Sequence, residues 1–257
     1  MKDLSASSIK STDNQKTESK IFDGRIDSAI LRSRTFLLSQ QKKEGYWVDE
    51  LESNATITAE LIFFMQFTGT VDLDKQDKIV DYLFHKQRED GSWSLFFEGP
   101  CDINSTVESY MALKLAGISL RRPEMIRARE VIDGNGGIKA TRVFTKIFLA
   151  MFGQISWDVC PSIPVEIILL KNWFPINIYE MSSWSRSTVV PLSIVISHKP
   201  VCHPPEGRDI KELFTTGDFE LGFESDGLIF SSWRNFFIQL DKIIKFAGKF
   251  SWKPFRK

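Results

Sequence analysis

The string Gln-x3-Gly-x-Trp occurs twice in this chain, as QKKEGYW at residues 41–47 and as QREDGSW at residues 87–93. No other feature constrains the fold as much. A shift of 46 positions lays Phe36 on Tyr82, Leu37 on Leu83, Gln41 on Gln87, Gly45 on Gly91 and Trp47 on Trp93. After a two-residue insertion the register continues at 48, with Thr58 on Thr106, Glu60 on Glu108 and Gly69 on Gly117. Self-similarity at a fixed period marks a repeated supersecondary unit whose copies bury their apolar faces on one another.

Each unit reads as helix, turn, helix, glycine. The first helices carry apolar faces, with Ile30, Leu31, Phe36, Leu37 and Leu38 in one copy and Ile79, Val80, Tyr82, Leu83 and Phe84 in the other. The second helices, ITAELIFFMQF and STVESYMALKLA, are apolar almost all round, which predicts burial, and they end at Gly69 and Gly117. A glutamine in the last turn of a helix can bring its amide to unpaired backbone groups. A tryptophan two residues past the glycine can lay its ring over that amide. Gln41, Gly45, Trp47, Gln87, Gly91 and Trp93 are therefore read as structural staples of helical hairpins.

A weaker third unit, MIRAREVIDGNGG followed by TRVFTKIFLAMFG, lacks both the Gln and the Trp. From about residue 156 a proline-punctuated passage, the apolar helix TVVPLSIVI and the loop VCHPPEGRD follow, expected to wrap around the hairpins. No long run alternates apolar and polar residues, so the fold class expected is all-α.

Charge and cysteine content exclude several classes of function. Lys plus Arg and Asp plus Glu number 33 each, so no summed field draws nucleic acid, and none is expected as a partner. Cys101, Cys160 and Cys202 are too few for a disulfide framework, which fits a reducing compartment. Residues 1–24 are polar and lysine-bearing, without the apolar core of a signal peptide, and read as a disordered tail ahead of a domain over 25–257. The 21 Phe and 7 Trp are the compositional hint of an apolar ligand, although a large core would also use them.

The repeated staples, together with SNATITAE, DGSW, NSTVESYMALK, TRVFTK, NIYEMSSWSRSTVVPLSIV and a late KPF, resemble the squalene-hopene cyclase family of triterpene cyclases. The resemblance runs from about residue 25 to 257 and corresponds to the N-terminal portion of those enzymes, a fragment of the two-domain whole. It implies an α/α-toroid of hairpin repeats, incomplete relative to the two toroids of the full enzyme. It also implies a cofactor-independent isomerisation in hopanoid biosynthesis, in which a terminal double bond of squalene is protonated and the cations are guided through an aromatic-lined cavity. The family's proton donor is the central aspartate of a DxDD motif. That motif is absent here, so the chain is expected to be inactive alone, with no catalytic general acid. The nearest approach, VDLDKQD at residues 71–77, has Lys75 where the last aspartate belongs and reads as a solvated turn.

By resemblance, Trp184, Glu60, Glu108 and Arg142 match substrate-cavity positions, and Met181 and Val189 match the substrate entrance. An indole face stabilises a nearby cation without quenching it. From the residues alone Trp184 reads equally well as core, and Glu60 and Glu108, in apolar helices, as members of structural pairs such as Glu108 with Arg142. His198, Cys202 and His203 are broken up by Pro200, Pro204 and Pro205, so no metal site is assigned. A prenyltransferase-like barrel would need a zinc site that these residues do not assemble.

Residues 222–246 carry an aromatic and aliphatic stripe at helical spacing, a candidate membrane-facing amphipathic helix. Packing on another part of a larger protein is the alternative. The resemblance implies squalene or a related isoprenoid as ligand and a monotopic place on the cytoplasmic side of a membrane. A C-terminal partner chain or a second copy is a further implied partner. The alternatives from another class are a non-catalytic isoprenoid- or membrane-binding module and one half of a split cyclase.

Overall fold

In a computed structural model the described residues are 5–48, 53–174, 177–214 and 233–249. Every regular element among them is helical, as the periodicity predicts. The chain divides into two compact units, Met1–Glu52 and Ser53–Lys257.

The first unit holds α1, Ser5–Gln40, and the turn that follows it. Its backbone is helical well into the stretch that the sequence assigns to a tail. That stretch has no proline and its first glycine is Gly24, so nothing local stops a helix extending back from the apolar residues 26–38. After Gln40 the chain turns at Gly45, whose φ is +90°. Gln41 Nε2 donates to the Gly45 carbonyl at 2.8 Å, and Trp47 Nε1 donates to the Leu37 carbonyl at 2.6 Å.

The second unit is built from α2 (Ala55–Thr68), α3 (Leu73–Lys86), α4 (Ile103–Leu115), α5 (Pro123–Gly134), α6 (Val143–Met151), α7 (Ser183–His198) and α8 (Trp233–Lys249). Local sequence sets the starts. Asn54, Asp72, Asp102 and Ser182 each accept a first-turn N–H through the side chain, and α5 begins with proline at its first position. The near-DxDD stretch thereby has a structural use, because Asp72 caps α3 through the Lys75 N–H at 3.1 Å.

α4 is the centre of this unit. Every residue from Ser105 to Leu115 is buried, and α4 packs on α2, α5 and α6. The core is Ile62, Leu83, Trp93, Tyr110, Met111, Met125, Ile132 and Leu149 with Phe152, against which Phe63 packs at 5.8 Å between ring centroids.

The second staple repeats the first bond for bond. Gln87 Nε2 donates to the Gly91 carbonyl at 2.8 Å, and Trp93 Nε1 to the Leu83 carbonyl at 2.8 Å. The roles differ from those expected from sequence: the indole N–H, not the glutamine, takes the carbonyl left open at the helix end, and the glutamine braces its own turn. A ring two residues past the turn lies alongside the last helical turn, whereas the glutamine amide has only the turn within reach. Gln87 has a second acceptor, the Glu124 carbonyl of α5, at 2.9 Å. Gly91 explains how the turn comes so close to α5: a Cβ there would stand 2.5 Å from Arg127 Cβ and 2.7 Å from the Arg127 carbonyl carbon.

The passage after α6 wraps as expected. Cys202 N–H meets the Met151 carbonyl, Arg208 caps the Leu115 carbonyl at the end of α4, and Ile210 N–H meets Gln154 Oε1. Lys114, 4% exposed, reaches the Gly207 carbonyl at 3.1 Å and Glu212 at 3.5 Å, while Tyr110 donates to Glu212 at 2.8 Å. α8 is tied to the same passage by the Ser162 N–H, which donates to Asp241, and by Lys245, which donates to the Asp158 carbonyl. Residues 222–232 of the expected amphipathic stretch lie outside the described residues.

Candidate functional site

The N-terminal halves of α2 and α4 and the start of α6 bring three of the residues singled out in the sequence together. Glu108 stands in the second turn of α4 and is 1% exposed. Arg142, at the N-cap position of α6, sends one guanidinium nitrogen to both Glu108 oxygens at 3.3 Å. Thr145, one turn into α6, donates to Glu108 Oε1 as well. Glu60 lies on α2 one turn beyond Thr56, whose hydroxyl is 2.9 Å from that of Ser105.

These surroundings set the charge. Burial raises the pKa of Glu108, and the hydroxyl of Thr145, the guanidinium of Arg142 and the hydroxyl of Thr56 act against that rise. Glu60 is pushed up to about 7, by burial first and by the negative charge of Glu108 second, with Arg142 pulling the other way. Two carboxyls facing one guanidinium cannot both ionise without net negative charge in a partly dry site. The arrangement holds a fixed ion pair beside a carboxyl that titrates near neutrality.

The other candidates are not drawn into this cluster. Trp184 lies in the first turn of α7 and is 85% exposed, so the described residues close no wall over it. Met181 and Val189, flanking it in sequence, are partly buried. Trp93 is fully buried in the core and Trp47 is about half exposed. The sequence reading missed Asn104, Thr145 and Thr56. The signal was present for the first two: Asn104 precedes Glu108 by four residues, hence on the same helix face, and Thr145 follows Arg142 by three.

At the opposite end of α4 an open polar depression of about 400 Å³ is lined by Lys114, Arg121, Glu206 and Arg208. Lys114 and Arg208 there are already engaged by Glu212 and by backbone carbonyls. Among the described residues no three His, Cys, Asp or Glu side chains gather as metal ligands.

Helical hairpins closed by Gln-Gly-Trp staples define a repeat-built all-α protein. The squalene-hopene cyclase N-terminal domain matches residues 30–257, and the chain belongs to that family. It is 40% identical over 245 residues to the squalene-hopene cyclase of Alicyclobacillus acidocaldarius, covering 95% of this chain and 37% of that protein. It is 41% identical over 220 residues to that of Zymomonas mobilis, covering 85% of this chain and 33% of that protein. To a dammaradiene synthase of Dryopteris crassirhizoma it is 37% identical over 237 residues, covering 90% of this chain and 34% of that protein. The chain thus spans about a third of the length of these curated relatives.

Proposed function

We propose that this chain forms the N-terminal part of a squalene cyclase, supplying one wall of a cavity in which squalene or a related isoprenoid is cyclised by protonation. The observation that carries the reading is the Glu60, Glu108 and Arg142 cluster on the ends of three stacked helices of a chain in this family. The hairpins would continue into an α/α-toroid. The proton donor would come from residues outside these 257, which hold no Asp-x-Asp-Asp. A cation cascade ends when a proton is lost or water is captured. Glu60, titrating near neutrality beside a fixed ion pair, is the group here best suited to take that proton. Trp184, with its exposed indole, would offer its face to the cations once the cavity is closed, and Met181 and Val189 would line the way in.

The second element of the reading is the membrane. No helix among the described residues is long and apolar enough to cross one. α8 exposes Phe237, Ile243 and Phe246, with Lys242 also exposed, and that composition suits a helix lying in the interface of a membrane; the cytoplasmic side is what the family resemblance implies. A non-catalytic isoprenoid- or membrane-binding module would use the same surface and is the second reading, favoured by the exposure of Trp184 and Trp173.

A chimera separates the two. Residues 25–257 replace the matching portion of the Alicyclobacillus acidocaldarius relative, and squalene products are read by gas chromatography. The cyclase reading expects cyclised triterpene from the chimera, less from its Glu108→Gln variant, and none from the 257 residues alone. A folded chimera that leaves squalene untouched would sink it.

A further inference from the structure

α6 starts without a cap of its own, because Arg142 stands at its N-cap position and contributes no side-chain bond there. The cap comes from another helix. Asn104 Oδ1, in the first turn of α4, accepts the Arg142 backbone N–H at 2.6 Å and lies 3.5 Å from the donor Thr145 Oγ1. The amide of Asn104 is itself oriented, since its Nδ2 points to Asp102 Oδ2 at 3.4 Å while Asp102 Oδ1 accepts the Ser105 N–H at 2.7 Å. Asn104 and Glu108 are one helical turn apart on the same face of α4. α4 therefore holds Arg142 twice, by its backbone through Asn104 and by its guanidinium through Glu108.

We propose that Asn104 is a positioning residue, which fixes the backbone of Arg142 so that the guanidinium meets Glu108 and so governs how charge is divided between Glu108 and Glu60. Its functional meaning rests on the cyclase reading given above. The physical reason is the length of the arginine side chain. The side chain is 41% exposed and its guanidinium hangs on several rotatable bonds, so its position is set only when residue 142 is anchored. An uncapped first turn frays, and Arg142 lies at that end. Glu60 from α2 and Arg142 from α6 are the charged groups that couple to Glu108, so its titration reports the coupling.

The test is a carbon-13 carboxyl titration with amide hydrogen exchange at Arg142, on the whole chain and on Asn104→Ala, Asn104→Asp and Ser182→Ala. Asn104→Ala is expected to raise the titration midpoint of the Glu60 and Glu108 pair by about half a pH unit or more, because Arg142 no longer favours the ionised Glu108. Exchange at Arg142 should speed up at least about tenfold, the factor that 1.4 kcal/mol of lost protection implies. Asn104→Asp keeps an acceptor and should keep the Arg142 amide protected. Ser182→Ala removes the cap of α7 and should lower the melting temperature without moving either readout. If Asn104→Ala lowers melting alone and leaves titration and exchange as they were, Asn104 is only a cap and the proposal fails. If that variant does not fold, loss of Arg142 protection in Asn104→Asp overturns it instead. A titration that moves in the chimera while squalene turnover stays level supports the positioning and counts against the cyclase reading of the cluster.

Discussion

The indole N–H of Trp93 donates to the carbonyl of Leu83 at 2.8 Å, fully buried, at the end of α3. Trp47 makes the same bond to Leu37 at 2.6 Å. A donor carried ten residues down the chain closes a helix whose own ladder cannot, and it does so in both copies of the repeat.

Removing that donor should cost more in the buried copy. Trp93→Phe keeps most of the ring and leaves the Leu83 carbonyl unpaired, for an expected loss of about 1–3 kcal/mol. Trp93→Ala adds a cavity and should cost about 3–5 kcal/mol. Trp47→Phe, with a half-exposed ring, should cost less than Trp93→Phe. Urea unfolding of the three variants checks the order.

The two turn glycines should also separate. Gly91→Ala meets a left-handed φ of +91° and the backbone of α5, for an expected loss of about 2–4 kcal/mol. Gly45→Ala meets the φ of +90° with nothing within 4 Å of the new Cβ, so about 1 kcal/mol is expected. Equal losses would show that contact with α5 is not what holds Gly91.

Glu60 predicts the direction of a pH effect. Its folded pKa of about 7 stands above the ordinary 4.5, so between those values the folded chain holds more proton than the unfolded chain. Its contribution is therefore fully present below about pH 4.5 and lost as pH rises through about 7. With allowance for partial exposure the change is about 1–3 kcal/mol. Urea midpoints should fall between pH 5 and pH 8 in the wild type and much less in Glu60→Gln.

Lys114 and Glu212 form a buried pair that also holds Tyr110. Glu212→Ala leaves the Lys114 charge 4% exposed and uncompensated, and should cost about 3 kcal/mol or more. The double variant Lys114→Met with Glu212→Gln should lose less than Glu212→Ala. A double variant that is the less stable of the two would mean that the ion pair itself contributes net stability.

The proposed membrane contact of α8 is tested by vesicle flotation. The triple variant Phe237→Ser, Ile243→Ser and Phe246→Ser should reduce flotation several-fold with anionic vesicles. Unchanged flotation would take the membrane role away from this face.

Much of the fold could be read in advance. The 46-residue shift, the glycines that close the hairpins and the all-round apolar pattern of STVESYMALKLA led to helical hairpins with that helix buried; its place at the centre came from the structure. The starts at Asn54, Asp72 and Asp102 rest on capping chemistry between near neighbours, although the sequence reading took the Asp72 stretch for a solvated turn. The site was legible only in part. Glu60, Glu108 and Arg142 were singled out, but nothing in the sequence placed Asn104 against the Arg142 backbone, because that bond joins residues 38 positions apart.

Sequence by itself determined what depends on neighbours along the chain: helix periods, caps, and the repeat that makes two turns alike. Tertiary structure decided which polar group meets which across helices. It gave the indole, not the glutamine, the open helix carbonyl, moved the Gln87 amide onto α5, and pressed Gly91 against Arg127. It also decided that Glu60 should titrate near neutrality, since a carboxyl's pKa follows the burial and charges that other segments bring to it.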